Sequence, residues 1–445
     1  MKNILKTAVT IAIILISSTM TMAESAPGEY EPVIFTRYDA ERVRGNIDEL
    51  DWAKEYIEEM KEEIDTWRGR ELLIPERGGE WSQYYVAPDT GRPLAFDRSS
   101  PHRHLEPKSG KYYEGELLDG SWVAIVHRQN IEYAMRAALL YRLTGDEWYA
   151  KFARWILVEY AKRYRDYDPH GGPAGLGRIA AQSLGEARWL IDACRVYDLL
   201  AGAGRLSERD REEIQDRLLI PAARQVGMFP FGIHNIQVWH DVSMLMAGLL
   251  SGESTLVSGA TESLSRQVDE GITGEGIWYE TSSGYHLFAL KPFAVLASVC
   301  GNRDLALCNK PKLRKIFTGL PRLAMPGGRL PAINDGARYN EIWDNLRSLV
   351  AARYGFGDES LDPLIAAIGD KTGWKKVSTE VFMYYLPPAQ DVPPWHLPKT
   401  SSHLPDTGLT VLRRPGGRYL LLKYNPFCGA HDHADKPGIL FYTSG

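Results

Sequence analysis

The run Gly429-Ala430-His431-Asp432-His433-Ala434-Asp435-Lys436 sets two imidazoles two residues apart among carboxylates. It lies between the apolar segments Tyr419-Leu420-Leu421-Leu422 and Gly438-Ile439-Leu440-Phe441-Tyr442, both of which read as buried β-strands. On a strand, His431 and His433 project from one face and Asp432 from the other. Two imidazoles on one face suit a metal ligand, an acid/base pair, or one of each. A polar hairpin whose histidines lie on the surface satisfies the same pattern.

A second constellation is His234-Asn235-Ile236-Gln237-Val238-Trp239-His240-Asp241, which opens a helix after the Gly/Pro-containing Gly227 to Gly232. Asn235 reads either as an N-cap or as an amide offered to a ligand. His234, Gln237 and His240 crowd further polar groups around the same helix start. The third is Gly276-Ile277-Trp278-Tyr279-Glu280-Thr281-Ser282-Ser283-Gly284-Tyr285-His286. Ser282 or Ser283 can cap a helix there, leaving Tyr285 and His286 in its first turn. Taken alone, a tyrosine at such a position is core packing or surface.

Together these residues suit one reaction. A uronic acid sugar has a weakly acidic proton on the carbon beside its carboxylate, and removing it creates an enolate-like dianion. Asn, Gln or His can neutralise that carboxylate by hydrogen bonding. A tyrosine or histidine can supply both the base and the proton for the departing glycosidic oxygen. A phenol ionises near pH ~10 and serves as a base only beside positive charge. No pair of catalytic carboxylates is required, in contrast to glycoside hydrolysis.

Helices must position most of these groups. Ala40 to Trp67 is a charged amphipathic stretch. Trp122 to Leu143, Trp148 to Tyr164, Ala180 to Leu200, Glu208 to Val226, Val238 to Leu250, Tyr285 to Val299 and Ile342 to Tyr354 carry apolar residues at three- and four-residue spacing. Gly145, Gly252 and Gly301 follow the last apolar turns, which predicts left-handed C-caps. Stacked hairpins of this kind form either an open solenoid or a closed α/α toroid. From about Val377 the character changes. Val377 to Leu386, Gly408 to Arg413, Tyr419 to Tyr424 and Gly438 to Tyr442 read as short strands, with Pro387 to Pro398 as a connector. So few strands make a poor sandwich with open edges, and the β part reads as incomplete. Ala87 to Gly91 and Glu106 to Gly110 have the cadence of zinc knuckles, but they lack thiolates and read as two turns without zinc.

Composition narrows the setting. Lys2 and Lys6, the apolar Ala8 to Ile16 and the small residues around Ala23 read as a secretory signal with Glu24 as the mature start, so a periplasmic or secreted location is expected. No later stretch reads as a membrane helix. The net charge of -5 argues against nucleic acid, and an anionic substrate must be held by local cations. Of the four cysteines, Cys300 and Cys308 are close enough to pair, or they are two buried thiols.

The chain resembles the heparinase II/III-like polysaccharide lyases, a group that includes oligo-alginate lyases and heparin or heparan sulfate lyases. The resemblance runs from around Trp81 through Tyr141-Arg142-Leu143-Thr144-Gly145-Asp146, Asn235 to Gly252, Trp278 to His286 and Asn334-Asp335-Gly336 to His431-x-His433. It implies a mainly α fold, an α/α toroid over residues 24–375, followed by an antiparallel β-sandwich domain over 376–445 that looks truncated. It implies that Asn235 neutralises the uronate carboxylate, that Tyr285 is the acid and in some members also the base, and that His431 is the partner base or a charge stabiliser. His433 would ligate a structural zinc that organises the strand carrying His431, with the other ligands expected beyond Gly445. Gln237, His240, His127, Arg128 and Trp278 are the further cleft candidates. Some relatives carry a histidine directly after the asparagine, where this chain has Ile236, and His234 or His240 would stand in for it.

The leading expectation is therefore a secreted lyase acting on an anionic polysaccharide, with alginate or its oligosaccharides as the first substrate. Heparan-type glycans call for an Arg/Lys-rich cleft, and no tight basic cluster is visible beside these motifs. Two other readings compete. A toroidal glycoside hydrolase would draw its carboxylates from Asp241, Glu280 and Asp335. A glycan-binding protein would use aromatic platforms such as Trp81, Tyr84, Tyr85, Tyr112 and Trp278.

Overall fold

Apolar residues at helical spacing fold into hairpins whose more apolar members turn inward. The computed structural model describes residues 30–443 except Lys376, Gln390, Phe427 and Ala430. The expected signal segment lies outside the described residues. The helices are α1 (Arg37–Glu49), α2 (Asp51–Asp65), α3 (Glu116–Thr144), α4 (Glu147–Arg163), α5 (Ser183–Ala201), α6 (Glu208–Ile214), α7 (Ile220–Gly227), α8 (Asn235–Ser251), α9 (Ser254–Gly271), α10 (Ser283–Cys300), α11 (Pro311–Gly319), α12 (Leu346–Phe356), α13 (Asp362–Thr372) and α14 (Thr379–Tyr384).

The inner helices pack side to side in the order α3, α5, α8, α10, α12, α14, and α1 joins α14 back to α3. The stack is therefore a closed α/α toroid and not an open solenoid. Helices α4, α9 and α11 lie outside, each against an inner neighbour. The outer helices are amphipathic. The inner α10, with its run Ala289-Leu290-Lys291-Pro292-Phe293-Ala294-Val295-Leu296, is buried nearly all round.

Several expectations need correction. Ala40 to Trp67 is two helices, because Leu50 takes an extended conformation between them. Glu208 to Val226 contains a π turn over Gln215–Leu219, just before Pro221, which has no N–H to donate. Gly145 and Gly252 are left-handed caps as read, but Gly301 is right-handed with φ -66°. Its glycine answers to packing instead, since a Cβ there would stand 2.8 Å from the Tyr354 ring. Val377 to Leu386 is not a strand. It holds α14, the helix that closes the ring against α1.

Four short strands pair within the helical part: β1 (His104–Glu106) with β2 (Lys111–Tyr113), and β3 (His170–Gly172) with β4 (Gly175–Gly177). The Glu106 carboxylate accepts the N–H groups of Lys108 and Ser109, so the knuckle-like cadence is a capped turn. Cys300 and Cys308 form a disulfide. The C-terminal strands β5 (Ser402–Leu404), β6 (Leu409–Arg414), β7 (Arg418–Lys423) and β8 (Gly438–Tyr442) make one antiparallel meander in that order. Period-two alternation turns Leu409, Val411, Tyr419 and Leu421 onto Leu320, Leu323, Leu330 and Ile333 of the helical part. The opposite face carries exposed Leu412, Ile439 and Phe441, so β8 is half exposed and not the buried strand expected.

The start of the described chain is fixed by a single buried carboxylate. Asp198 on α5 accepts the backbone N–H groups of Val33 (2.7 Å), Ile34 (2.9 Å) and Phe35 (3.1 Å). Asp198→Ala strands all of these donors and is expected to lower unfolding stability by roughly 3 kcal/mol or more. The measurement is the urea midpoint. A shift below the error of the titration would show that water replaces the carboxylate without loss.

Candidate active site

Helices α8 and α10 are neighbours in the ring, and both begin at the end that faces the loop after β7. His234 is the N-cap of α8: its Nδ1 accepts the Ile236 N–H at 3.1 Å. Asn235 is thus the first helical residue and not the cap. Its buried amide donates to Glu280, at 3.1 Å to Oε1 and 3.3 Å to Oε2. Ser282 caps α10 and accepts the Tyr285 N–H. Between Trp278 and this cap, Thr281 is held at φ 50°, a strained conformation for a β-branched residue. The Asn334 amide donates to Thr281 Oγ1 at 2.8 Å, and that of Asn425 does so at 3.3 Å. The turn held in this way aims Glu280 inward, where Trp278 Nε1 donates to it at 2.8 Å.

The His431 run is a loop and not part of a strand, but its two imidazoles still converge. His431 Nδ1 lies 2.8 Å from Asp335 Oδ2, and His433 Nε2 lies 2.7 Å from Oδ1 of the same carboxylate. Hydrogen bonds to both rings hold the Asp335 carboxyl below its ordinary pKa, so it is an acceptor and each of these nitrogens carries the proton. The His431 Nε2 lone pair is therefore free in the neutral ring. Asp432 points the other way and accepts the Cys428 N–H and the Asn425 amide. Asn334, at φ 55°, joins this loop to the helices, with its Oδ1 accepting from Lys423 Nζ at 2.7 Å and its amide donating to the Glu280 carbonyl.

Rings and charges meet at this junction. The His431 ring stacks on Tyr285 with centroids 3.3 Å apart and planes 11° apart. The His234 ring lies 6.2 Å from His431. Ligand-type atoms of His234, Glu280 and His431 all fall within 4.8 Å of one another. Burial, reinforced by His431, pushes His234 down to about 4, so it is neutral and offers Nε2–H as a donor. Burial raises Glu280 and Tyr285, and for Tyr285 the carboxylates of Asp335 and Glu280 raise it further. Among the described residues no cation lowers this phenol, so it stands as a proton donor.

The structure brings Asn235, Tyr285 and His431 together and disperses most of the other candidates. Gln237 is committed at both ends, accepting the Phe231 N–H and donating to Asp241 at 2.7 Å. His240 is 1% exposed, is pushed down to about 4 by burial, and packs against the Phe231 ring. His127 is held in the core by Tyr160 and the Arg77 carbonyl. Trp278 is fully buried and supports Glu280 instead of offering a sugar platform. Arg128 is exposed on the wall of a cavity that lies beyond Tyr285 along α10, not at the His431 junction itself. Of the two substitutes for the missing histidine, His234 reaches the site and His240 does not.

Sequence reading offered His234 only as an alternative to His240, and weighed Glu280 and Asp335 only as hydrolase carboxylates, not as partners of Asn235 and His431. The one available signal for Asp335 was its place in Asn334-Asp335-Gly336. His433, expected as a zinc ligand, lies with its Nε2 2.7 Å from Asp335, and the converging cluster found among the described residues does not include it; the remaining expected ligands lie outside the described residues.

Residues 118–324 match the family model described as alginate lyase. An alginate lyase of Stenotrophomonas maltophilia is 28% identical over 349 residues, which is 72% of this chain and 45% of that protein. An exo-oligoalginate lyase of Saccharophagus degradans is 29% identical over 212 residues, 44% of this chain and 27% of that protein. The chain thus spans less than half the length of these curated relatives. Among solved structures, an alginate lyase from Bacteroides ovatus superposes with TM-score 0.54 at 13% identity, covering 81% of this chain and all of that one. The chain is alginate-lyase-like in sequence, and its fold is that of the toroidal lyases.

Proposed function

We propose that this alginate-lyase-like chain cleaves a uronic-acid-containing polysaccharide, alginate or its oligosaccharides, by β-elimination. The observation that carries the reading is the convergence of an amide, a phenol and a carboxylate-oriented imidazole, supplied by three remote segments. The Asn235 amide and the His234 Nε2–H donate to the uronate carboxylate at the N-termini of α8 and α10, where helix dipoles favour negative charge. Burial raises the Glu280 carboxyl, and the Asn235 and Trp278 donors that it accepts in the resting site spread its charge. His431 Nε2 takes the proton from the carbon beside the carboxylate. The electron pair forms the new carbon–carbon double bond, the glycosidic carbon–oxygen bond breaks, and Tyr285 O–H protonates the departing oxygen. The stacked rings then hold an imidazolium beside a phenolate, and transfer of the proton back through solvent resets both. Asp335 acts through His431 by fixing its tautomer, a positioning role.

Export fits the Met1–Ala23 pattern, and no helix among the described residues is long and apolar enough to cross a membrane. An ultraviolet assay for unsaturated uronate, run against alginate, heparan sulfate, hyaluronan and ulvan, tests the activity. Alginate should give the fastest rise, and reducing ends without absorbance would mean hydrolysis. The pH profile tests the acid. Because Tyr285 is raised, activity should persist until the pH passes above about 10, and an alkaline limb centred below that value in kcat would assign the proton to another group.

A further inference from the structure

The turns that follow Asn235 and Tyr285 open onto a second feature. On α8, Trp239 lies one turn beyond Asn235; on α10, Phe288 and Lys291 follow Tyr285 along one face. The Tyr285 and Phe288 rings are 6.3 Å apart, and the Phe288 and Trp239 rings 5.7 Å. Beyond them lies a cavity of about 570 Å³ lined by Trp239, Lys291, Arg188, Arg128 and Arg347, with Trp81 among its other walls.

The cations in this cavity are unequally committed. Arg195 and Arg347 both pair with Glu380, at 2.9 Å and 2.5 Å. Arg128 reaches Glu132 only at 3.9 Å. Among the described residues, neither Arg188 nor Lys291 has a carboxylate within ion-pair distance. Arg188 lies over the Trp239 ring at 5.6 Å and Lys291 near the Phe288 ring at 5.8 Å. Desolvation lowers both; around Arg188 the carboxylate of Asp192 opposes it while Arg128 and Arg347 add to it, and around Lys291 Arg188 and Arg347 add to it while Asp344 opposes. An anion arriving between them would relieve that mutual repulsion. The sequence showed no such cluster because its members come from α3, α5, α10 and α12.

We propose that this cavity is a subsite for a uronate sugar flanking the cleaved bond, with Arg188 and Lys291 gripping its carboxylate and the buried Trp239 ring supporting Arg188 from below. The path from Tyr285 to Lys291 is about 9 Å along the helix, within reach of a neighbouring sugar on a bound chain. The lining also selects the chemical class. Its cations outnumber its carboxylates by only six to five, which suits one carboxylate per sugar and not a densely sulfated chain. The choice of occupant rests on the lyase reading, but the anion grip does not.

The test separates binding from turnover. Alginate oligosaccharides of defined length, a sulfated heparin oligosaccharide and a neutral cello-oligosaccharide are titrated calorimetrically into the Tyr285→Phe protein, with and without Arg188→Gln or Lys291→Gln. Each added substitution should weaken alginate binding by about tenfold or more at an unchanged melting temperature, and leave the cello-oligosaccharide unaffected. In otherwise unaltered enzyme, Arg188→Gln should raise KM far more than it lowers kcat. Alginate affinity unchanged in both variants overturns the proposal, as does heparin binding tighter than alginate. If the unaltered protein makes no unsaturated product yet loses alginate binding on either substitution, the lyase reading falls and the anion subsite stands.

Discussion

Tyr285→Phe should lower kcat on alginate oligosaccharides by roughly a thousandfold while leaving KM and the melting temperature close to those of the unaltered protein. The substitution removes one oxygen and keeps the ring that stacks on His431 at 3.3 Å. Among the described residues no hydrogen bond joins the Tyr285 hydroxyl to the protein, so its loss strands no buried partner. The whole effect then falls on the departing glycosidic oxygen, which would leave without a proton. Turnover within fivefold of the starting value would remove the phenol from the chemistry and point to His234 or to solvent as the acid.

Asn235→Ala should cost about two to three orders of magnitude in kcat/KM, the range seen when one donor to a developing anion is deleted. The amide donates to Glu280 at 3.1 Å in the resting site and is the group placed to turn toward the substrate carboxylate. A methyl-esterified uronate substrate separates the two consequences. The ester lacks the resting carboxylate charge and develops only a single enolate charge, so the variant should lose distinctly less on the ester than on the acid. Equal losses on acid and ester would mean that Asn235 merely supports Glu280.

How much of this was legible depends on the range of the forces involved. The inner helices α3, α5, α8, α10 and α12 and the strands β6 to β8 follow from local periodicity, and the three segments bearing Asn235, Tyr285 and His431 stood out by residue type. The helix α9 (Ser254–Gly271) was passed over, because its run of serine, glycine and charged residues dilutes the apolar stripe. Helix α14 read as strand because its Val381-Phe382-Met383-Tyr384 run favours either state, and packing against α1 decides the matter. Gln237 and His240 looked like site residues through their position beside Asn235. A helix turns about 100° per residue, however, and carries them toward Asp241 and Phe231. Asp335 was hard to see for the opposite reason: it lies far from His431 in sequence, and only the left-handed turn at Asn334 delivers it.

That turn has a consequence for control. Asp335 holds both imidazoles, while Asn334 beside it bonds Lys423 on the sheet and Thr281 at the toroid's rim. On the proposed lyase reading, the working site is therefore a property of the docked pair and of neither part alone. A small relative rotation of sheet against ring would unstack Tyr285 from His431 while leaving every helix and strand intact.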